Sequence, residues 1–235
     1  MASRAGAQRL PARADCGSVR RRLVIWVKVH GREFAWRHPS TSLYRLVVTE
    51  ALLQRTRAET VHAFYARFFR RFPSWQALAR ASESELRGHL RPIGLWKRRA
   101  VSLRKLAAEM AGRRGRFPFS RAEIEALPGV GQYVANAVLL FAHRQSEPLL
   151  DAGVARVLER HFGPRRLVDI RYDPYIQKLA RLVVSSRHAV WVNWALLDLA
   201  ALVCRNRTPE CGKCPLAATC RHRRMHNGPS RNSRV

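Results

Sequence analysis

The chain has 235 residues, and 47% of them are hydrophobic, which allows a sizeable core and excludes a mostly disordered protein. It carries 44 Lys and Arg against 16 Asp and Glu, a formal net charge of +28. This excess disfavours an enzyme of acidic small molecules or a neutral scaffold. It favours a polyanionic partner, most simply nucleic acid, with an anionic membrane surface as the alternative.

The location of the protein is predicted from what the sequence lacks. No apolar run reaches the roughly 18 residues that a membrane span needs, so we expect no membrane insertion. The Arg-rich N terminus has no apolar stretch of a secretory signal, although it could pass for an organellar transit peptide. We therefore expect a cytoplasmic, nucleoid-associated protein of a bacterium or archaeon.

Helical periodicity dominates the chain after a basic arm at residues 1–22. No segment sustains an alternation of period two, so the predicted fold is all-α. A Cys- and Pro-containing loop occupies residues 204–220, and a polar basic tail occupies residues 221–235. The predicted helices are at 23–36, 43–53, 58–71, 74–81, 83–90, 97–112, 121–126, 132–143, 151–161, 173–185 and 190–203.

The cysteines form the sharpest cluster in the sequence. In a reducing compartment, clustered thiols bind metal more often than they form disulfides. Four thiolates can surround one tetrahedral Zn²⁺, and the same four can hold a [4Fe–4S] cluster. A fifth cysteine, Cys16, lies in the predicted arm, and we interpret it as a free thiol. The clustered cysteines are Cys204, Cys211, Cys214 and Cys220, spaced C-x6-C-x2-C-x5-C.

A glycine-containing turn, LPGVG at residues 127–131, joins two predicted helices. Gly129 and Gly131 allow a tight turn and a close approach to a ligand. The helix that follows begins with amides that suit a phosphate oxygen. The turn alone favours an ordinary connection between two helices.

Three motifs together resemble the iron–sulfur helix-hairpin-helix DNA glycosylases, in particular the thymine–guanine mismatch branch. They are LPGVG-x-x-x-A, an aspartate 18 residues after Tyr133, and the terminal cysteine spacing. The resemblance covers roughly residues 23–220. It implies a [4Fe–4S] cluster on the four cysteines and a monomer acting on double-stranded DNA that contains a mismatched or damaged base.

The resemblance also implies two helical subdomains with a DNA cleft between them. A six-helix domain would span 43–149, with the helix-hairpin-helix at about 121–143. Residues 23–42 and 150–220 would form the second domain, which carries the cluster loop.

Three residues are implied in catalysis. Asp151 would stabilise the positive charge that builds on the sugar, although local sequence alone favours a helix N-cap. Tyr133 stands where bifunctional members carry a lysine, and a phenol cannot form an imine, so we expect no strand cleavage. Packing in its own helix is the alternative for Tyr133. Glu50 lies on an apolar helical stripe and could donate to a flipped base, or it is a surface glutamate at the edge of that stripe.

Further residues are implied in DNA binding. Arg55 and Leu95 would fill the hole that a flipped base leaves, whereas a solvated charge and a core leucine are the alternatives. The segment Trp96–Arg99 is interpreted either as a phosphate grip or as a solvated basic face. The remaining implied contacts are Gln54, Gly129, Gly131 and Gln132, together with Arg205, Arg207 and Lys213 on the cluster loop.

Two departures from the family pattern qualify the expected activity. The family usually carries Asp-x-Asn, but this chain has Gly153 two residues after Asp151. No further domain follows the cysteine loop, which disfavours an enzyme of adenine opposite 8-oxoguanine. We therefore expect a monofunctional glycosylase of thymine or uracil opposite guanine. The alternatives are an adenine glycosylase and a catalytically weak DNA-damage-binding module.

Overall fold

A computed structural model describes residues 9–226, and these residues are helical without a strand. The prediction of an all-α fold is confirmed. None of the helices in this range is long and apolar enough to cross a bilayer. The helices are α1 Arg13–His30, α2 Leu43–Leu53, α3 Ala58–Arg71, α4 Trp75–Arg80, α5 Glu83–Leu90, α6 Trp96–Gly112, α7 Arg121–Glu125, α8 Gln132–Phe141, α9 Ala152–Phe162, α10 Pro174–Val184, α11 Ala189–Leu202 and α12 Arg221–His226.

The described residues divide into two compact units. Unit A comprises the described residues up to Arg32 and those from Ser146 onward, and unit B is Glu33–Gln145. The boundaries differ from those expected from the sequence, which were after residues 42 and 149. Phe34 and Trp36 explain the first difference, because both are buried in the core of unit B. Leu149 explains the second, since its amide bonds to the Asn193 side chain within unit A.

Unit B contains α2–α8 around an aromatic core. The apolar face of α3 presents Phe64, Phe68 and Phe69, all buried. The ring of Tyr44 meets those of Phe69 and Trp75 edge-on, and its hydroxyl donates to the Phe72 carbonyl at 2.7 Å. Edge-on aromatic pairs add to the stabilisation that burial provides. This core fixes α2, the helix that carries Glu50.

Unit A corrects the prediction of a mobile arm at residues 1–22. Helix α1 begins at Arg13, and its stripe of Cys16, Val19, Leu23 and Val27 is buried against α10 and α11. The arginines between these positions conceal the stripe in the sequence. Cys16 is therefore a buried core residue, and burial raises the pKa of its thiol. Residues 1–8 lie outside the described range.

The predicted basic tail is also partly corrected. Residues Arg221–His226 form α12, which packs against α9. Residues 227–235 lie outside the described range, so the prediction for them is not addressed.

Half of the twelve described α-helices begin with a side-chain N-cap. A serine or aspartate before the first turn accepts a backbone N–H, which satisfies one of the donors that a helix leaves unpaired. The capping residues are Ser42, Ser74, Ser82, Ser120, Asp151 and Asp173.

Asp173 caps α10 and fixes the preceding loop. Its Oδ1 accepts the Ile176 amide at 2.8 Å, while Oδ2 accepts the amides of Arg166 and Leu167, each at 2.7 Å. Burial alone would raise the pKa of this carboxyl group, but the backbone donors outweigh burial and lower it. The ionised form therefore stabilises the fold.

We expect Asp173→Asn to lower the free energy of unfolding by about 2 kcal/mol at pH 7, since an amide nitrogen cannot accept these donors. Because the folded pKa lies below the unfolded value, the contribution is complete above about pH 4 and is lost as the pH falls through the folded pKa. Urea denaturation of both proteins from pH 7 downward measures this. A difference that widens on acidification would contradict it.

Candidate active site and thiol cluster

Glu50 and Tyr133 form a hydrogen-bonded pair within unit B. Glu50 lies on α2 with only 2% of its surface exposed, so it is not a surface glutamate. The Tyr133 hydroxyl, in the first turn of α8, donates to Glu50 Oε2 at 3.1 Å. A buried carboxyl group is costly unless it has hydrogen-bonding partners. The fold thus brings together two of the three predicted catalytic residues, which are 83 positions apart.

The glycine turn between α7 and α8 has the geometry that a close approach requires. Gly129 has φ +74°, and a Cβ there would lie 2.9 Å from the Cβ of Ser102, so a larger residue would collide with α6. Gly131 is the N-cap of α8, and no side chain caps this helix. Arg121 joins the two helices by donating to Asn136 Oδ1 at 2.9 Å. The turn exposes Gly131, and Gln132 is half-buried beside it.

The two predicted wedge residues share an unusual backbone conformation. Arg55 has φ +58° and Leu95 has φ +50°, a left-handed region that side chains disfavour. Both side chains are exposed, Leu95 by 52%, so the core alternative for Leu95 is wrong. Gln54, also exposed, precedes Arg55. Arg114 and Arg144 are also exposed and left-handed, so the conformation agrees with the predicted role of Arg55 and Leu95 but does not by itself mark function.

The basic segment at the start of α6 separates into two kinds of residue. Lys97 and Arg98 are exposed, and Lys97 and Arg91 lie over the Trp96 ring, with centroid distances of 5.2 and 5.5 Å. Arg99 fits neither interpretation made from the sequence. It is 8% exposed, so it is neither a phosphate grip nor part of a solvated face.

Asp151 lies in unit A, at the N terminus of α9. Its Oδ1 accepts the Val154 amide at 2.7 Å, so the capping interpretation is correct. Asp151 is nevertheless exposed to solvent, and the cap involves one of its two carboxylate oxygens. Capping and catalysis are therefore compatible, because the cap fixes the carboxylate while leaving it accessible to a ligand.

The segment before Asp151 is held by a residue that the sequence analysis missed. Asn193, buried on α11, accepts the Leu149 amide at 2.6 Å and donates to the carbonyl of Glu147 at 3.1 Å. It also donates to the Ala189 carbonyl at 3.0 Å. A polar residue in the apolar run AVWVNWALL was the available signal.

Gly153 is closely packed, which gives a structural reason for the departure from Asp-x-Asn. A Cβ at this position would lie 3.1 Å from the Cβ of Ala200 and 3.2 Å from Asp151 Oδ1. Both distances are shorter than ordinary van der Waals contact. Any side chain at residue 153 would therefore displace α11 or the Asp151 carboxylate.

The four clustered cysteines line one open cavity of unit A. Burial raises the pKa of the Cys214 thiol to about 11, and the neighbouring thiols add to this. Among the described residues, no three Cys, His, Asp or Glu side chains converge closely enough to hold a single metal ion. The fold thus brings the four predicted ligands to one cavity.

Two arginines of α9 hold the cysteine loop. Arg156 donates to the carbonyls of Ala200 and Cys204, each at 2.9 Å. Arg160 donates to the carbonyls of Arg205 and Asn206, each at 2.7 Å, and contacts the Cys204 sulfur at 3.4 Å. The loop thus receives cationic donors beside its thiols.

The loop cations implied in DNA binding differ in their surroundings. Arg205 and Lys213 both pair with Glu210. Arg207 is exposed.

The family model of the HhH-GPD superfamily base excision DNA repair proteins matches residues 48–183. The chain belongs to this superfamily. The match contains the Glu50–Tyr133 pair, the two predicted wedge residues, the glycine turn and Asp151. The polyanion indicated by the net charge of this HhH-GPD protein is accordingly DNA.

Similar proteins cover most of this HhH-GPD chain. A thymine-DNA glycosylase of Aeropyrum pernix is 38% identical over 86% of this chain and 93% of its own. A thymine/uracil-DNA glycosylase of Pyrobaculum aerophilum is 35% identical over 88% of this chain and 92% of its own. An adenine DNA glycosylase of Mycobacterium tuberculosis is 36% identical over 83% of this chain but 64% of its own.

Solved structures share the fold of this HhH-GPD protein. The structure of a thermostable thymine-DNA glycosylase superposes with a TM-score of 0.82 at 29% identity, over 90% of this chain and 98% of that chain. A non-covalent endonuclease III–DNA complex has a TM-score of 0.73 at 21% identity, over 93% of this chain and 99% of that chain.

Proposed function

We propose that this protein is a monofunctional DNA glycosylase that, as a monomer, hydrolyses the N-glycosidic bond of thymine or uracil opposite guanine. The observation that carries the proposal is the Tyr133–Glu50 hydrogen bond beside the glycine turn. It places a phenol, rather than an amine, on the helix that follows this turn. The thymine and thymine/uracil glycosylases that align over most of both chains support the choice of base.

The proposed reaction begins with extrusion of the base, which costs least at a mismatch. As the bond between C1′ and the base nitrogen breaks, its electron pair leaves with the base and the sugar becomes cationic. The Asp151 carboxylate stabilises this charge, and it takes a proton from the water that adds to C1′. The departing base anion takes up a proton from solvent and the protonated Asp151 gives its proton to solvent, so an abasic sugar, a neutral free base and the starting carboxylate result.

Glu50 and Tyr133 have a separate role in this proposal. A protonated Glu50 donates a hydrogen bond to a carbonyl oxygen of the extruded pyrimidine, where negative charge develops. Tyr133 orients that carboxyl group through their hydrogen bond. Because a phenol cannot condense with the C1′ aldehyde, the DNA strand remains unbroken.

We also propose that Cys204, Cys211, Cys214 and Cys220 hold a [4Fe–4S] cluster. The residues fit this group: four thiols line one cavity, and the Arg160 guanidinium lies beside the Cys204 sulfur. Thiolates are the ligands that such clusters use. The cluster's contribution would be structural, since it would fix the loop on which Arg205, Arg207 and Lys213 lie.

A panel of labelled duplexes tests the choice of base. Duplexes with T·G, U·G, A·G and A·8-oxoguanine are incubated with the protein and analysed with and without alkali. We expect alkali-dependent cleavage at T·G and U·G only. Cleavage confined to the A-containing duplexes would replace this proposal with the adenine alternative, which the relative from M. tuberculosis supports.

Gly153→Ala is expected to slow release of thymine about tenfold while changing the free energy of unfolding by less than about 1 kcal/mol. The exposed Asp151 side chain gives way to the new Cβ, and the better helix propensity of alanine offsets the crowding. Single-turnover rates and urea denaturation measure the two effects. Adding Ala200→Gly should restore part of the rate, because the Cβ can then shift towards α11. An unchanged rate in Gly153→Ala would contradict this account.

A further inference from the structure

The buried guanidinium of Arg99 bonds to two loops of unit B. Its Nη1 donates to the carbonyls of Ile93 at 2.7 Å and Gly94 at 3.0 Å. Its Nη2 donates to the Gln54 carbonyl at 2.5 Å and to Thr56 Oγ1 at 2.7 Å. One guanidinium therefore joins the loop after α2 to the loop before α6.

The chemistry of these contacts requires arginine. The four acceptors are neutral oxygens on two segments that are about 40 positions apart, and Thr56 itself donates to the Ile93 carbonyl at 3.2 Å. A planar guanidinium has donors in a fixed fork and reaches both segments at once. A lysine ammonium is a single point charge and cannot bond to both segments in this way. Burial of a charge is tolerated only when such partners are present. Both terminal nitrogens of the buried Arg99 thus join the loops.

The acceptors of Arg99 adjoin Arg55 and Leu95, two of the four described non-glycine residues with a left-handed backbone. Gln54 and Thr56 are the neighbours of Arg55 on both sides, and Gly94 is the neighbour of Leu95. Strained backbone persists only where surrounding contacts determine it. The guanidinium supplies those contacts for both residues.

We infer that Arg99 is the positioning residue for a two-part wedge made of Arg55 and Leu95, which opens the duplex at the mismatch. The inference rests on the proposed function, because it assigns the wedge the task of base extrusion. Arg99 does not touch the DNA. It holds two exposed side chains, one cationic and one apolar, at a fixed separation so that both enter the base stack together.

Base opening can be measured apart from catalysis by placing 2-aminopurine beside the thymine of a T·G pair. Its fluorescence rises when the neighbouring base leaves the stack, and the measurement is made at saturating protein. We expect wild type to give a rise and Arg99→Met to give less than a third of it. Arg104→Met should match wild type, because it removes an exposed charge from the same helix.

A merely structural role for Arg99 is distinguished by combining variants. We expect Arg99→Met to add no further loss in the Arg55→Ala, Leu95→Ala background, since the wedge is already absent. Arg99→Lys should recover part of the signal, because an ammonium reaches one loop but not both. If circular dichroism shows that Arg99→Met does not fold, the Arg99→Lys variant is used for the test instead.

Each outcome bears on one claim. A wild-type signal in Arg99→Met, or an equal further loss in the wedge-less background, would overturn the role of Arg99. A fluorescence rise without release of any base would refute the proposed glycosylase activity but leave the wedge intact. No rise with wild type would overturn the wedge itself.

Discussion

Asp151→Asn is expected to slow release of thymine from a T·G duplex by about a thousandfold under single-turnover conditions. The substitution removes the negative charge that stabilises the sugar cation and the base that accepts the proton of water. The helix cap survives, because an asparagine oxygen still accepts the Val154 amide. The change therefore affects the chemistry and leaves the fold intact.

Binding should not weaken in the same variant. Removing a carboxylate reduces repulsion of the phosphates, so fluorescence anisotropy should show equal or tighter binding of the T·G duplex. Asp169→Asn is the matched control, since it removes a negative charge from the same unit and should retain the wild-type rate. A rate within threefold of wild type in Asp151→Asn would refute the catalytic role. If wild type is equally inert on every duplex, the damage-binding alternative replaces the enzyme.

Cys214→Ala is expected to abolish the absorbance band at roughly 400 nm that a [4Fe–4S] cluster gives. It should also lower the melting temperature by about 10 °C or more, because binding of the group is coupled to folding of the loop. Cys214 packs against the core of unit A, so the loss extends beyond the loop. Absorbance spectra, iron and sulfide analysis and thermal denaturation measure these effects.

Cys16→Ala is the control for this variant, since Cys16 is buried in α1 and does not line the cavity. It should retain both the colour and the iron content. A colourless wild-type protein, prepared without air and containing one zinc ion, would contradict the cluster proposal.

The sequence predicts the helices well where local signals determine them. Helices α2 and α3 have the predicted bounds because apolar periodicity and flanking signals agree there. The first half of α1 was missed because arginines separate its buried residues and resemble a basic arm. Its helical state depends on packing against α10 and α11, which no local pattern reports.

The sequence predicted residues of the candidate site but not how they contact one another. Glu50 and Tyr133 were singled out separately, but their hydrogen bond depends on how α8 packs against α2. The exposure of Arg55 and Leu95 agrees with the wedge prediction, whereas their left-handed backbone and the Arg99 bonds to neighbouring residues are visible only in the structure. Arg99 itself was interpreted as a surface charge, because a basic run conceals the one member that is buried.

The most direct test of the account is the mass of the products from a T·G duplex. We predict free thymine and a full-length strand that carries an abasic sugar, with no covalent protein–DNA adduct after borohydride treatment. A broken strand or a borohydride-trapped adduct would contradict the hydrolytic mechanism, and an unchanged duplex would contradict the glycosylase assignment.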